Sequence, residues 1–292
     1  HYAPSVTTIA TTLSVPPASL PQRAGNPPPS RPHTFPARAI GKRPLSSFQP
    51  QPQRPTPTPL APSVFTPETI ISAFRWPQIC RALWNDHAAD YERIADKLLA
   101  TSRAGRPLVG VTGINSGDGC TSTLLCVAVA LAARKTRLAL VDASFHHPQL
   151  AELLGAEPTA SWADVLDRGM PVAEAMIRPT HDHIDLLPLR AHPPLAGHEA
   201  ADLVAGLQTS VTAGVLRTAY DLVLVDLGAL LAPGAYAALS HLLRLMPIEA
   251  ALVISNPRTA DSHDAAVVGE LLDEDGCELL GVIENRTNSA RK

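Results

Sequence analysis

Between Val109 and Ala132 the chain reads VGVTGINSGDGCTSTLLCVAVALA. Gly113, Gly117 and Gly119 fall between a strand-like run and a helix-like run. Glycines so placed let backbone N–H groups converge on an anion, and the dipole of the following helix adds positive potential at the same spot. Thr121 stands where such a loop presents a hydroxyl to magnesium. Gly113, Gly117, Asp118, Gly119, Cys120, Thr121 and Ser122 therefore form a candidate phosphate cradle. Two carboxylates join it. Asp142 closes the apolar run LALVD and Asp226 closes DLVLVD. The carboxyl ends of strands line the ligand crevice of α/β sheets. Carboxylates there hold magnesium or its waters, or order an attacking nucleophile. Asp142 and Asp226 are the candidate catalytic residues and, with Thr121, the candidate metal ligands.

One expected charge is missing. Cys120 occupies the position at which loops of this pattern carry a lysine. A charged hydrogen bond is worth roughly 1.5–3 kcal/mol net. Its loss weakens anion binding on the order of 10- to 100-fold. Transition-state charge is stabilised more than ground-state charge, so turnover suffers more than binding. Arg134 and Lys135 lie at the far end of the following helix, and Arg103 and Arg106 precede the strand at the opposite edge of the sheet. A thiol at a helix N-terminus tends toward a lowered pKa, yet no resolving cysteine is near Cys120 in sequence, which argues against a redox switch. His146, His147, His181 and His183 read as loop histidines, because no third and fourth ligand follow at metal spacing.

The elements that must position these residues alternate. Strand-like runs occupy 108–113, 138–143, 184–190, 221–228, 250–256 and 278–285. Helix-like runs occupy 121–134, 148–154, 161–168, 198–219, 234–245 and 259–274. Several strands are apolar on both faces, as in a mainly parallel sheet covered by helices on both sides. The pattern predicts one doubly wound α/β domain over 107–286. A helical lead-in over 68–106 precedes it. Thr66-Pro67-Glu68 reads as a helix start and Trp76-Pro77 as a restart. Ile79, Leu83, His87, Tyr91, Ile94 and Leu98 then recur at helical spacing over roughly seven turns.

Residues 1–67 are different in kind. They hold 17 of the 29 prolines, six Lys or Arg and no Asp or Glu, so this arm carries +6 and the rest of the chain −9. Such a Pro-rich basic stretch has little to bury and reads as disordered, with polyproline character in its later part. It reads first as a solubilising linker, and its charge also suits an acidic partner, a membrane surface or an SH3-like groove. Residues 287–292 form a short C-terminal tail. The net charge of −3 gives no sign of nucleic-acid binding. The longest apolar run, Leu124 to Ala133, is 10 residues, about half of a membrane span. Four cysteines without a CxxC pair fit a reducing cytoplasm better than a disulfide framework.

From about Arg75 to Arg286 the chain resembles the bacterial tyrosine kinases of the polysaccharide-export type, within the wider MinD/ParA group of P-loop ATPases. VTGINSGDGCTST matches the phosphate loop, LALVDASFHHPQLAELLG the second motif and DLVLVDLGALL the third. LLGVIENRT matches the final strand, where the resemblance gives Asn285 a contact with the nucleotide base. It implies a P-loop NTPase fold, ATP and Mg²⁺ as cofactors, a protein partner in envelope polysaccharide synthesis or export, and a possible homo-oligomer. The setting it implies is the cytoplasm, with recruitment to the inner membrane through a partner or the basic arm. The departures are Cys120 for lysine, Ser144 and His146 for the second aspartate and arginine of the second motif, and Ala229 for the proline of the third. TNSARK, at 287–292, lacks the tyrosine cluster that such kinases phosphorylate on themselves. Three functions follow: a degenerate regulator with weak or absent ATP turnover, an active ATPase or kinase whose missing charge comes in trans, and a ParA/MinD-like positioning ATPase.

Overall fold

A computed structural model describes residues 65–190, 195 and 197–286. The basic arm, except its last three residues, and the C-terminal tail lie outside the described residues. In chain order the elements are β1 (Thr69–Ile71), α1 (Gln78–Arg103), β2 (Leu108–Gly113), α2 (Cys120–Ala132), β3 (Leu138–Asp142), α3 (Leu150–Leu153), α4 (Trp162–Arg168), α5 (Val172–Ala175), β4 (Ile177–Pro179), β5 (Ile184–Leu187), α6 (Gly197–Val204), α7 (Leu207–Ala219), β6 (Leu222–Ala229), α8 (Ala235–Leu245), β7 (Ala250–Ser255), α9 (Ser262–Glu274) and β8 (Glu278–Glu284).

One eight-stranded sheet runs β1-β4-β5-β3-β6-β2-β7-β8. Every pairing is parallel except β4 with β5. β2, β3, β5, β6 and β7 are buried along nearly their whole length, which is why they read as apolar on both faces. One apolar cluster lies under α1 and α2, and the other under α4 to α9. From β2 the chain crosses over β6 to β3, and from β6 it crosses over β2 to β7. That reversal places the ends of β2, β3 and β6 around one crevice. Among the described residues no helix is long and apolar enough to cross a membrane.

Four expectations need correction. The start of the lead-in is strand, not helix: Thr69–Ile71 pairs with Ile177–Pro179, and Glu68 N–H donates to the Ala173 carbonyl at 2.9 Å. The β-branched Thr69, Ile70 and Ile71 favour that pairing over the cap read at Thr66. α1 is helical for 26 residues but breaks helical geometry at His87 (φ −136°, ψ 23°). Its first turn buries Cys80, while Ile79 is 47% exposed. The single helix expected over 198–219 is two. Gly206 is extended, and Thr209 Oγ1 donates to the Val204 carbonyl at 2.7 Å, closing α6 as α7 begins. The short α5 and β4 escaped detection because three or four residues carry no period.

Candidate phosphate-loop site

β2 delivers the chain to the loop and α2 carries it away, so residues 113–122 sit at the mouth of the crevice. Gly117 (φ +89°) and Gly119 (φ +86°) hold the left-handed turns before the helix. A Cβ on Gly119 would fall 2.1 Å from Asn285 Nδ2, so that position admits no side chain. Among the described residues nothing accepts from the N–H groups of Ser116, Gly117, Gly119, Cys120 or Thr121, while the neighbouring amides of Ile114, Asn115 and Asp118 are bonded internally. The amides left over at the start of a 13-residue helix suit an anion.

Asp142 and Asp226 stand opposite each other in register on β3 and β6. Both follow the apolar residues that face α2, so both carboxylates point to that side of the sheet. A register shift between Val111 and Thr112 passes over Leu227, and Gly228 turns back with φ +70°. Its N–H donates to Asp226 Oδ1 at 3.1 Å. A Cβ there would meet Ser144 Oγ at 2.6 Å, so the glycine also admits the loop after β3. Thr121 Oγ1 donates to Asp226 Oδ2 at 2.7 Å. Asp142 accepts from the N–H groups of Ser144 (3.2 Å), Gln149 (3.0 Å) and Leu150 (3.0 Å).

Among the described residues no basic side chain pairs with either acid. Burial first, and then the charge of Asp226, pushes Asp142 up to about 8 against the pull of its three amides. Burial likewise raises Asp226, opposed by its bonds from Thr121, Gly228 and Cys120. The pair therefore holds a proton near neutrality that isolated carboxylates would release. Cys120 faces the same acids. Its Sγ lies 3.4 Å from the Val111 carbonyl oxygen and 3.5 Å from Asp226 Oδ1. Burial and the Asp226 charge push the thiol well above its ordinary range, overriding the lowering expected at a helix N-terminus. Cys120 is a neutral donor, not a thiolate.

The sequence reading brought Gly113, Gly117, Gly119, Cys120, Thr121, Asp142 and Asp226 to one place, and the fold does gather them. It missed the latch behind the loop. Asp118, 1% exposed, accepts from Asn115 N–H at 2.8 Å and from Thr259 Oγ1 at 2.6 Å. Asn115 Nδ2 donates to the Thr259 carbonyl at 2.9 Å, and Asn285 Nδ2 donates to the Asp118 carbonyl at 2.8 Å. Thr259 is 141 residues from Asp118, and no local pattern marks it. Ser122 is half-buried in the first turn of α2 with no contact to the acids. Two of the cationic candidates named from sequence are turned elsewhere: Arg106 pairs with Glu278, and Arg134 with Asp96 at 3.0 Å. A small cleft of about 50 Å³, lined by Ser116, Ala143 to His147, Leu227 and Ala229 among others, lies on the α8 side of the sheet and is lined by neither acid nor Thr121.

The donor set fits magnesium: one hydroxyl and two carboxylates are hard oxygen ligands, and an uncompensated acidic pair gains from a divalent cation. The free amides fit a phosphate. Among the described residues no basic side chain is bonded to the loop or to the two acids.

No family profile matches the chain. Over 177 residues it is 27% identical to tyrosine-protein kinase YwqD of Bacillus subtilis, covering 61% of this chain and 71% of that protein. Over 182 residues it is 28% identical to the putative septum site-determining protein MinD of Guillardia theta, covering 61% of this chain and 63% of that protein, less than two thirds of the relative's length. The solved MinD of Pyrococcus horikoshii OT3, complexed with Mg-ADP, shares the fold with a TM-score of 0.50 at 21% identity, over 63% of this chain and 72% of that one.

Proposed function

As a divergent relative of the MinD/ParA-like P-loop ATPases, the superfamily that includes the bacterial tyrosine kinases, this chain is, we propose, a degenerate nucleotide-binding protein. It has weak or absent ATP turnover and regulates envelope polysaccharide synthesis or export. The observation that carries the reading is Cys120. A buried, neutral thiol turned toward Asp226 stands where a phosphate-gripping cation belongs. The amides of Ser116, Gly117, Gly119, Cys120 and Thr121 would hold the phosphates, and Thr121, Asp142 and Asp226 would hold Mg²⁺, which when bound neutralises charge on the phosphate oxygens. Asn285 lies beside the loop, on the side assigned to the base. Without a lysine, transition-state charge lacks its main stabiliser.

Self-phosphorylation at Tyr91 or Tyr220 is disfavoured, because they are 1% and 5% exposed, while Tyr236 is only partly buried. The setting rests on kinship with the tyrosine kinases. It comprises a protein partner in the polysaccharide machinery, a homo-oligomer, and a cytoplasmic location with recruitment to the inner membrane.

Calorimetric titration with ATP and Mg²⁺ tests this. Weak or no heat is expected, and submicromolar affinity with steady turnover would overturn it. Cys120→Lys is expected to strengthen ATP binding on the order of 10- to 100-fold, the inverse of the loss a missing charged contact causes. A folded C120K protein with no gain would show that the loop is not a phosphate cradle.

A further inference from the structure

A second cavity, a groove of about 570 Å³, opens beside the crevice along α3 and the turns beyond β1 and β5. His147 lines both this groove and the small cleft, so the loop after β3 is their common wall. Arg75 and Arg190 also line it, both exposed. Their placement is fixed by the backbone. Arg75 N–H donates to the Leu154 carbonyl at 2.8 Å. A Cβ on Gly155 would fall 2.7 Å from Arg75 Nε, so the guanidinium lies across a residue that must lack a side chain. Arg190 Nη1 donates to the Pro158 carbonyl at 3.2 Å.

Glu152 and Glu157 line the same groove. Among the described residues, neither arginine has a carboxylate within ion-pair distance. Ala151, Ala156 and Leu189 add apolar lining. Its volume lies in the small-molecule range. Guanidinium forks match phosphate oxygens bidentately, and carboxylates accept from hydroxyls.

We propose that this groove binds a small phosphate ester of a polyhydroxylated molecule, its phosphate held by Arg75 and Arg190 and its hydroxyls by Glu152 and Glu157. The site stands apart from the phosphate loop and does not depend on nucleotide binding there. The sugar and nucleoside sources of such an ester are separated by the probes.

The full chain is titrated calorimetrically with glucose 1-phosphate, AMP, and neutral glucose. One of the two esters is expected to bind with a submillimolar Kd, and glucose at least about tenfold more weakly, since a charged contact is worth about that factor or more. The tighter ester identifies the source. Arg75→Ala and Arg190→Ala each weaken it about tenfold, and Gly155→Ala, which displaces Arg75, does the same. Two results overturn the proposal: no ester binding below 1 mM (about −4.1 kcal/mol), or ester binding that survives the Arg75→Ala/Arg190→Ala double variant. Unaltered thermal unfolding of the exposed arginine variants separates lost contacts from lost structure.

Discussion

Neighbouring strands of one sheet bury aspartates under opposite arrangements. Asp185, on β5, is 5% exposed and fully answered: Arg178 Nε donates to both of its oxygens at 2.9 and 3.1 Å, and Tyr220 OH donates at 2.6 Å. Asp142 and Asp226, at the ends of β3 and β6, are 0% and 1% exposed and, among the described residues, are bonded to amides, a hydroxyl and a thiol. Arg178 makes the first site a tie between β4 and β5. The second stores an unfavourable negative charge at the crevice, and that cost is a measure of what the site can gain from a cation. The first arrangement is a closed ion pair; the second is the kind of buried, perturbed pair that clusters at ligand sites.

The largest effect comes from making the two alike by subtraction. Arg178→Ala strands Asp185 and is expected to cost about 2–4 kcal/mol, at the lower side of the range for a broken buried pair because the guanidinium is partly exposed. Denaturant unfolding measures it, and a loss below about 1 kcal/mol would erase the contrast.

Removing one acid from the crevice has the opposite sign. Asp142→Asn is expected to stabilise the metal-free protein by about 1–3 kcal/mol at pH 8. A carboxyl raised from its ordinary value to about 8 binds its proton more tightly when folded than when unfolded. Its contribution to stability therefore falls as pH rises from about 4 to about 8, then levels. The melting-temperature difference between Asp142→Asn and the parent should open over that window in EDTA. A difference that stays constant with pH would place the cost elsewhere. Cys120→Lys should shrink the same pH dependence, because its ammonium supplies the charge that Arg178 supplies to Asp185.

The smallest effect tests the latch. Thr259→Val removes the hydroxyl from buried Asp118 and is expected to cost about 1–2 kcal/mol. Faster amide exchange confined to residues 113–119 would accompany it. Unchanged exchange there would show that Thr259 does not hold the loop.

The main strands were legible because β2, β3, β6 and β7 are continuous apolar runs ending in turn residues. Thr69–Ile71 was not, because three residues carry too little pattern to outweigh a proline-capped helix start. Ile79 looked like a core position until the break at His87 separated the first turns of α1 from the rest, and Cys80 took its place. The glycines, Thr121 and the two aspartates stood out by their places at strand ends. The Asp118–Thr259 latch did not, because its members carry no shared spacing.

By itself the sequence determined which residue types stand at each strand tip, and that a thiol stands at Cys120 where a cation is wanted. Those are local facts, readable from one loop and two strand ends. Only the tertiary structure decided that Asp142 and Asp226 meet in register on the α2 face, that the thiol turns inward to them, and that no arginine arrives to balance their charge. Desolvation and Coulomb energy depend on everything packed around a group, most of it remote in the chain, so neither could be read from the residues beside it.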